Sequence, residues 1–232
     1  MGIFKVDILV ILQETGKHKY VINSTNNMSH KTKVPSRKNK LQALESDLAK
    51  YGLKIGHARQ ACMQAAVFSQ TMAKLGYDHI HRVMGDDKSK WVRNFNNDLV
   101  LVKWFGKTEK KGHVKDVRNR MLSIAKRINK GLTIRLRPQK EIDANARNHG
   151  GFADPRAFRV FPMIFKNGID TTYLASVYIH EMMHLWFQDQ IIGRAKVNNE
   201  HLAKQLARFY PKKARKSAEN YERYCKEIYG NR

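Results

Sequence analysis

Tyr178-Ile179-His180-Glu181-Met182-Met183-His184-Leu185-Trp186-Phe187 contains the pattern His-Glu-x-x-His, and its reading decides what the rest of the chain must build. At helical spacing, side chains four residues apart leave one face about one turn from each other. The imidazoles of His180 and His184 can therefore share a zinc ion while Glu181 holds a water beside it. Leu174, Val177, Ile179, Met182, Met183, Leu185 and Trp186 make the segment apolar on nearly every side, as a buried helix requires. Three polar side chains on such a helix cost several kcal/mol of desolvation unless they find partners. A metal supplies them, whereas a core helix that carries two histidines by coincidence does not.

A hydrolytic zinc site takes three protein ligands and leaves a fourth position open to water. The nearby carboxylates are Asp189 and Glu200. On a continuous helix Asp189 would point about 140° away from His184, so the helix must end or bend. Unwinding at Phe187-Gln188, with Gly193 as a stop soon after, would let Asp189 fold back. Glu200 lies on a separate predicted helix over 198–210 and would serve if the chain reverses at Gly193. Geometry leaves the two open.

Working outward, 232 residues can bury a full core, and the pattern suggests one domain over 41–232 behind an N-terminal extension over 1–40. In that extension Ile3 to Leu12 reads as a strand, interrupted by Lys5 and Asp7 and with no small-residue cleavage site, so a signal peptide is the weaker reading. Lys19 to Asn23 is its expected hairpin partner. From Thr15 to Lys40 no acidic residue occurs, and seven Lys or Arg residues stand among polar ones, the composition of a flexible basic linker. Lys and Arg outnumber Asp and Glu by 44 to 20, a formal charge of +24 that favours an anionic surface or polymer as partner. No helix-turn-helix, aromatic ribonucleoprotein box or Cys/His finger accompanies it. Cys62 and Cys225 form no C-x-x-C pair, so neither a disulfide framework nor a cysteine zinc site is indicated, and one bridge between them stays open. No apolar run approaches the roughly 20 residues of a membrane-spanning helix.

Beyond the extension, Leu41 to Leu53 and Ile55 to Leu75 carry helical periodicity, Trp91 to Phe105 is mixed, and Val114 to Ile128 is a basic amphipathic helix. Leu132 to Pro138 alternates with period two and is stopped by proline. Phe158 to Phe165 reads as a second strand, with Asn167-Gly168 closing it before a helix that starts near Thr171 or Thr172. His57, His79 and His81 lack ligand spacing. The fold class is α+β, mainly helical, with a small sheet beside the His180 helix. That arrangement lets an extended peptide lie across the site as an added strand.

The region from Trp104 onward resembles the deuterolysin and peptidyl-Lys metalloendopeptidase family, the aspzincins. The resemblance is carried by Trp104-Phe105-Gly106, by Phe152 to Phe165, by Ala175 to His184, by Asp189-Gln190-Ile191-Ile192-Gly193, and by Leu202 to Ala207 and Lys216 to Tyr224, which look like that family's final helices. It implies a zincin-like domain, with His180, His184 and Asp189 as zinc ligands and Glu181 as general base and acid. It also matches Glu219 to an acidic residue near the pocket for the side chain after the cut, which implies a preference for Lys or Arg there. A lone Glu on a basic helix is otherwise an exposed ion-pair partner. The segment between His184 and Asp189 is shorter than in that family, and Ile192 stands where the family has an oxyanion-stabilising Tyr. Tyr173, Tyr178 and Tyr221 are the candidate replacements.

The expectation is therefore a zinc-dependent endopeptidase acting on peptide or protein substrates, of the kind that recurs in bacterial effectors and toxins. The competing reading is a basic polyanion- or nucleic-acid-binding protein that keeps zinc without catalysis. A three-ligand site with Glu181 intact favours the first, because structural zinc usually closes with a fourth protein ligand.

Overall fold

The computed structural model describes residues 37–139, 151–153, 158–187 and 190–231. The expected strand and hairpin at 3–23, the expected basic linker as far as residue 36 and Asp189 lie outside them, while the last four residues of that linker, 37–40, are helical instead.

The first half is helical: α1 (Arg37–Ala49), α2 (Ile55–Met84), α3 (Trp91–Asn97), α4 (Leu99–Phe105) and α5 (Lys111–Asn129). α2 runs nine residues past the expected Leu75 and is the spine of the core. Its buried stripe is built of small residues, Ala58, Ala61, Ala65, Ala66 and Ala73, which let other helices approach closely. Gly76 marks the tightest point, where an added Cβ would stand 2.9 Å from Met121 and 3.1 Å from the Cys225 sulfur. Cys62 and Cys225 are both buried and free, so no bridge joins α2 to the last helix. The mixed stretch over 91–105 resolves into two short helices. Asp98 separates them and caps the second by accepting the amide of Leu101 at 2.8 Å.

β1 (Ile134–Leu136), β2 (Gly151–Ala153) and β3 (Phe158–Val160) form a sheet in the order β1-β3-β2. β3 pairs parallel with β1 and antiparallel with β2, with Phe158 opposite both Ile134 and Ala153. The second strand is shorter than the sequence suggests. Pro162 has no N–H to offer a ladder, and it opens a 3-10 helix over Pro162–Phe165 instead.

α6 (Thr171–Met183) carries the His-Glu-x-x-His pattern. A two-stranded hairpin follows, β4 (Ile191–Ile192) with β5 (Ala195–Lys196), then α7 (Glu200–Phe209), α8 (Pro211–Ala214) and α9 (Ala218–Gly230). α6 is packed between α2, α9 and β2, and the rings of Phe158 and Tyr178 meet with centroids 4.7 Å apart. The fold is α+β and mainly helical, with the small sheet beside α6. Among the described residues no helix is long and apolar enough to cross a membrane.

The Trp104-Phe105-Gly106 stretch has a mechanical role. Trp104 and Phe105 end α4, and their carbonyls are taken by the side chains of Asn220 at 2.7 Å and Arg215 at 3.0 Å. Glu227 accepts from the Trp104 indole at 2.7 Å and pairs with Lys103 at 2.6 Å, so α9 is tied to α4 along its length. Gly106 then turns the chain at φ 68° and ψ 164°, a backbone conformation held almost only by glycine.

Candidate metal centre

α6 starts at Asp170, whose carboxylate accepts the amide of Tyr173 at 2.8 Å, and the helix axis is fixed there by this cap. It ends at Met183, before the point where the sequence places the unwinding. From His184 the winding tightens: the amides of His184 and Trp186 donate to the carbonyls of Glu181 and Met183, three residues back. Phe187 has left the helix, and its ring lies between Arg120, 5.1 Å from the ring centre, and Tyr221, 6.1 Å between centroids. Gly193 does not stop the helix, as expected from sequence, but makes the turn between β4 and β5 at φ 59°.

The two imidazoles sit with ring centroids 4.8 Å apart. Ligand atoms of His180, Glu181 and His184 all lie within 4.8 Å of one another, a spacing that fits a shared cation. The Nδ1 atoms decide whether these rings suit a metal. His180 Nδ1 lies 2.9 Å from Glu222 Oε2, and His184 Nδ1 lies 3.1 Å from the carbonyl oxygen of Phe187. A carbonyl can only accept, so His184 carries its proton on Nδ1. The Glu222 carboxylate holds His180 in the same form. In the neutral form each ring then carries its lone pair on Nε2, with its orientation set by an acceptor behind it, as ligating histidines require. The residues fit a zinc ion.

Behind His180 stands an acidic pair on α9. Glu222, almost fully buried, accepts from Ser176 at 2.8 Å as well as from His180. Ser176 and His180 are one turn apart on α6, so one carboxylate clamps both. Glu219 is one turn before Glu222, 3.5 Å from His180 Nδ1, and accepts from Arg223 at 2.7 Å. It is ion-paired, as a lone Glu would be, but only 3 % exposed rather than on the surface. Burial and then the charge of Glu222 push the Glu219 carboxyl up, against the pull of Arg223. Burial, the largest single influence, would raise Glu222, but the hydrogen bond and charge of His180, the Ser176 hydrogen bond and the charge of Arg223 together outweigh it and hold Glu222 below the usual range. For His180 the order is mirrored: burial lowers the imidazole, while Glu222, Glu181 and Glu219 together raise it.

Of the two third-ligand candidates, Glu200 is paired with Lys204 at 2.5 Å at the exposed start of α7, and it belongs to neither carboxylate–histidine group. Asp189 lies outside the described residues, two positions after Phe187 at His184 Nδ1 and one before Gln190 at the start of the hairpin. Of the candidate oxyanion donors, Tyr178 and Tyr221 are fully buried, their hydroxyls donating to the carbonyls of Cys62 and Arg215. Tyr173 is 45 % exposed, with its phenol raised by burial and by the nearby charge of Glu222. His79 lies away from the centre, 2.9 Å from the Tyr224 hydroxyl and 3.4 Å from Asp98. Glu222 was not singled out from the sequence. Its signal was the spacing Glu219-x-x-Glu222, which puts two carboxylates on one helix face.

No family model and no curated protein matches the chain. Among solved structures, a zinc peptidase from Grifola frondosa superposes with a TM-score of 0.56 at 16 % identity, over 75 % of this chain and 97 % of that one. The overall fold is thus one that this chain shares with a zinc peptidase.

Proposed function

We propose that the chain is a zinc-dependent endopeptidase whose centre is held by His180, His184 and Asp189. The observation that carries this reading is the pair of Nδ1 acceptors, Glu222 and the Phe187 carbonyl, which leave two Nε2 donors beside Glu181. A bound zinc ion supplies Lewis acidity, which acidifies a water and polarises a carbonyl. Glu181 takes a proton from the attacking water and hands it to the leaving amine. β2, an edge strand of the described sheet packed against α6, offers backbone on which an extended peptide adds as a strand. Glu219, with Glu222 beside it, supports recognition of a Lys or Arg side chain after the cut. Arg223 must then yield part of its hold on Glu219 to the substrate's cation. Aspzincin membership and an effector or toxin role rest on the sequence resemblance alone.

The test is cleavage of an unfolded, Lys-rich protein by the chelated chain before and after one equivalent of zinc, with fragments identified by mass spectrometry. Cleavage restored by zinc, with Lys or Arg following the cut, is the expected result. Absence of cleavage at full zinc occupancy would turn the reading to a binding protein.

A further inference from the structure

On the side of the molecule formed by the 106–110 loop, the end of α7 and α8 there is a cavity of about 740 Å³. That is the size of a small-molecule site, and it shares no residue with the His180 centre. Its lining is strongly cationic: Lys107, Lys110, Lys212, Lys213 and Arg215, against the single carboxylate of Glu109. The walls are fixed rather than loose. The Thr108 amide donates to Asn96 at 3.0 Å, and the Asn96 amide donates back to the Thr108 carbonyl at 2.8 Å.

Arg215 is the anchor. It is 8 % exposed, and its guanidinium donates to the Phe105 carbonyl at 3.0 Å and to His113 Nδ1 at 3.3 Å, both uncharged acceptors. His113 is neutral there, since burial first and then the charges of Arg215 and Lys110 hold it below its ordinary value. Asp116 opposes this only through space. A buried cation among lysines, with no carboxylate among the described residues hydrogen-bonded to it, is a site that an anion completes. The rim adds a second kind of surface. Phe209 and Tyr210 are 59 % and 49 % exposed, and Lys213 lies 5.4 Å from the centre of the Tyr210 ring. Exposed rings interleaved with cations are stacking platforms for nucleobases.

We propose that this cavity binds a nucleotide, with its phosphates on the lysines and Arg215 and its base against Tyr210. The nucleotide is either free or part of a single strand. A carboxylate-rich peptide would use the lysines but not the exposed rings.

Binding of a short fluorescein-labelled oligoadenylate is measured by anisotropy at about 0.15 M salt, with ATP, inorganic triphosphate and polyglutamate as competitors. The variants are Lys107→Ser with Lys212→Ser, the control Lys126→Ser with Lys130→Ser, which changes net charge equally on exposed positions of α5 and its end, and Tyr210→Ala. The cavity pair is expected to weaken binding at least about tenfold and the control less than about threefold. Tyr210→Ala is expected to weaken the oligonucleotide and ATP about tenfold while leaving inorganic triphosphate unchanged. Competition by ATP as strong as by unlabelled oligoadenylate assigns the site to a free nucleotide, and much weaker competition by ATP assigns it to a single strand. Equal loss in the cavity and control pairs, competition by polyglutamate as strong as by oligoadenylate, indifference to Tyr210→Ala, or absence of saturable binding would overturn the proposal.

Discussion

Glu222 Oε2 stands 2.9 Å behind Nδ1 of His180, so a carboxylate from the last helix orients the first histidine of the pattern. Glu222→Gln keeps the shape and an acceptor oxygen but removes the charge. Zinc affinity, measured by competition with a chromogenic chelator, should fall about 10- to 100-fold while the circular dichroism of the chain is unchanged. Unaltered affinity would mean that this hydrogen bond does not serve the metal.

The third ligand can be assigned by substitution. Asp189→Ala should lose zinc at concentrations where the parent is saturated, and Glu200→Ala should keep it. Glu200 is engaged with Lys204 at the surface, and its loss should cost less than about 1 kcal/mol of stability. Metal analysis after gel filtration reads both variants. Zinc retained in Asp189→Ala would place the ligand elsewhere.

Specificity should follow Glu219. Glu219→Gln removes the charge that faces Arg223 and His180, so any preference for Lys or Arg after the cut should weaken by about tenfold relative to neutral residues. The readout is the ratio of cleavage rates on paired peptides that differ at that one position. An unchanged ratio separates Glu219 from the substrate.

Much of this was legible in the sequence because the signals were local. His180, Glu181 and His184 stand on one helix, and their spacing alone fixes their common face. The basic helix expected over 114–128 is the core of α5, for the same reason of short-range periodicity. What sequence could not give was pairing across distance. Nothing local tells that Glu222 returns 42 residues later to His180, or that the carbonyls ending α4 are met by Asn220 and Arg215. The strand expected over 158–165 failed at Pro162 because an apolar run scores alike as strand or short helix, and the missing N–H decides. Tyr178 and Tyr221 looked equal to Tyr173 until burial separated them.

Gly106 gives a stability test away from the centre. An added Cβ would come 2.2 Å from the Ala207 carbonyl and 2.8 Å from Pro211, at a backbone conformation that costs a side chain about 1–3 kcal/mol on its own. Gly106→Ala should therefore lower the urea midpoint well beyond that of an ordinary surface change. A wild-type midpoint would contradict the tight approach of α4 to α7 and α8.

Asp98 adds a pH dependence. Burial would raise its carboxyl, but the His79 contact and the Leu101 amide outweigh that and hold it below its ordinary value. A depressed carboxylate contributes stability above its unfolded pKa of about 3.9 and loses it as pH falls through the folded value. Asp98→Ala should thus cost about 1–2 kcal/mol at pH 7, and the gap from the parent should narrow below pH 4. Denaturation at the two pH values checks it, and a gap that does not change with pH would remove Asp98 from the acid response.

The most direct test of the peptidase reading is zinc content and cleavage rate measured on one preparation of Glu181→Gln beside the parent. The account predicts one zinc per chain in both and cleavage about 10²- to 10⁴-fold slower in the variant. Parent-like cleavage by Glu181→Gln, or a parent that holds zinc at His180 and His184 and cuts no peptide, would contradict it.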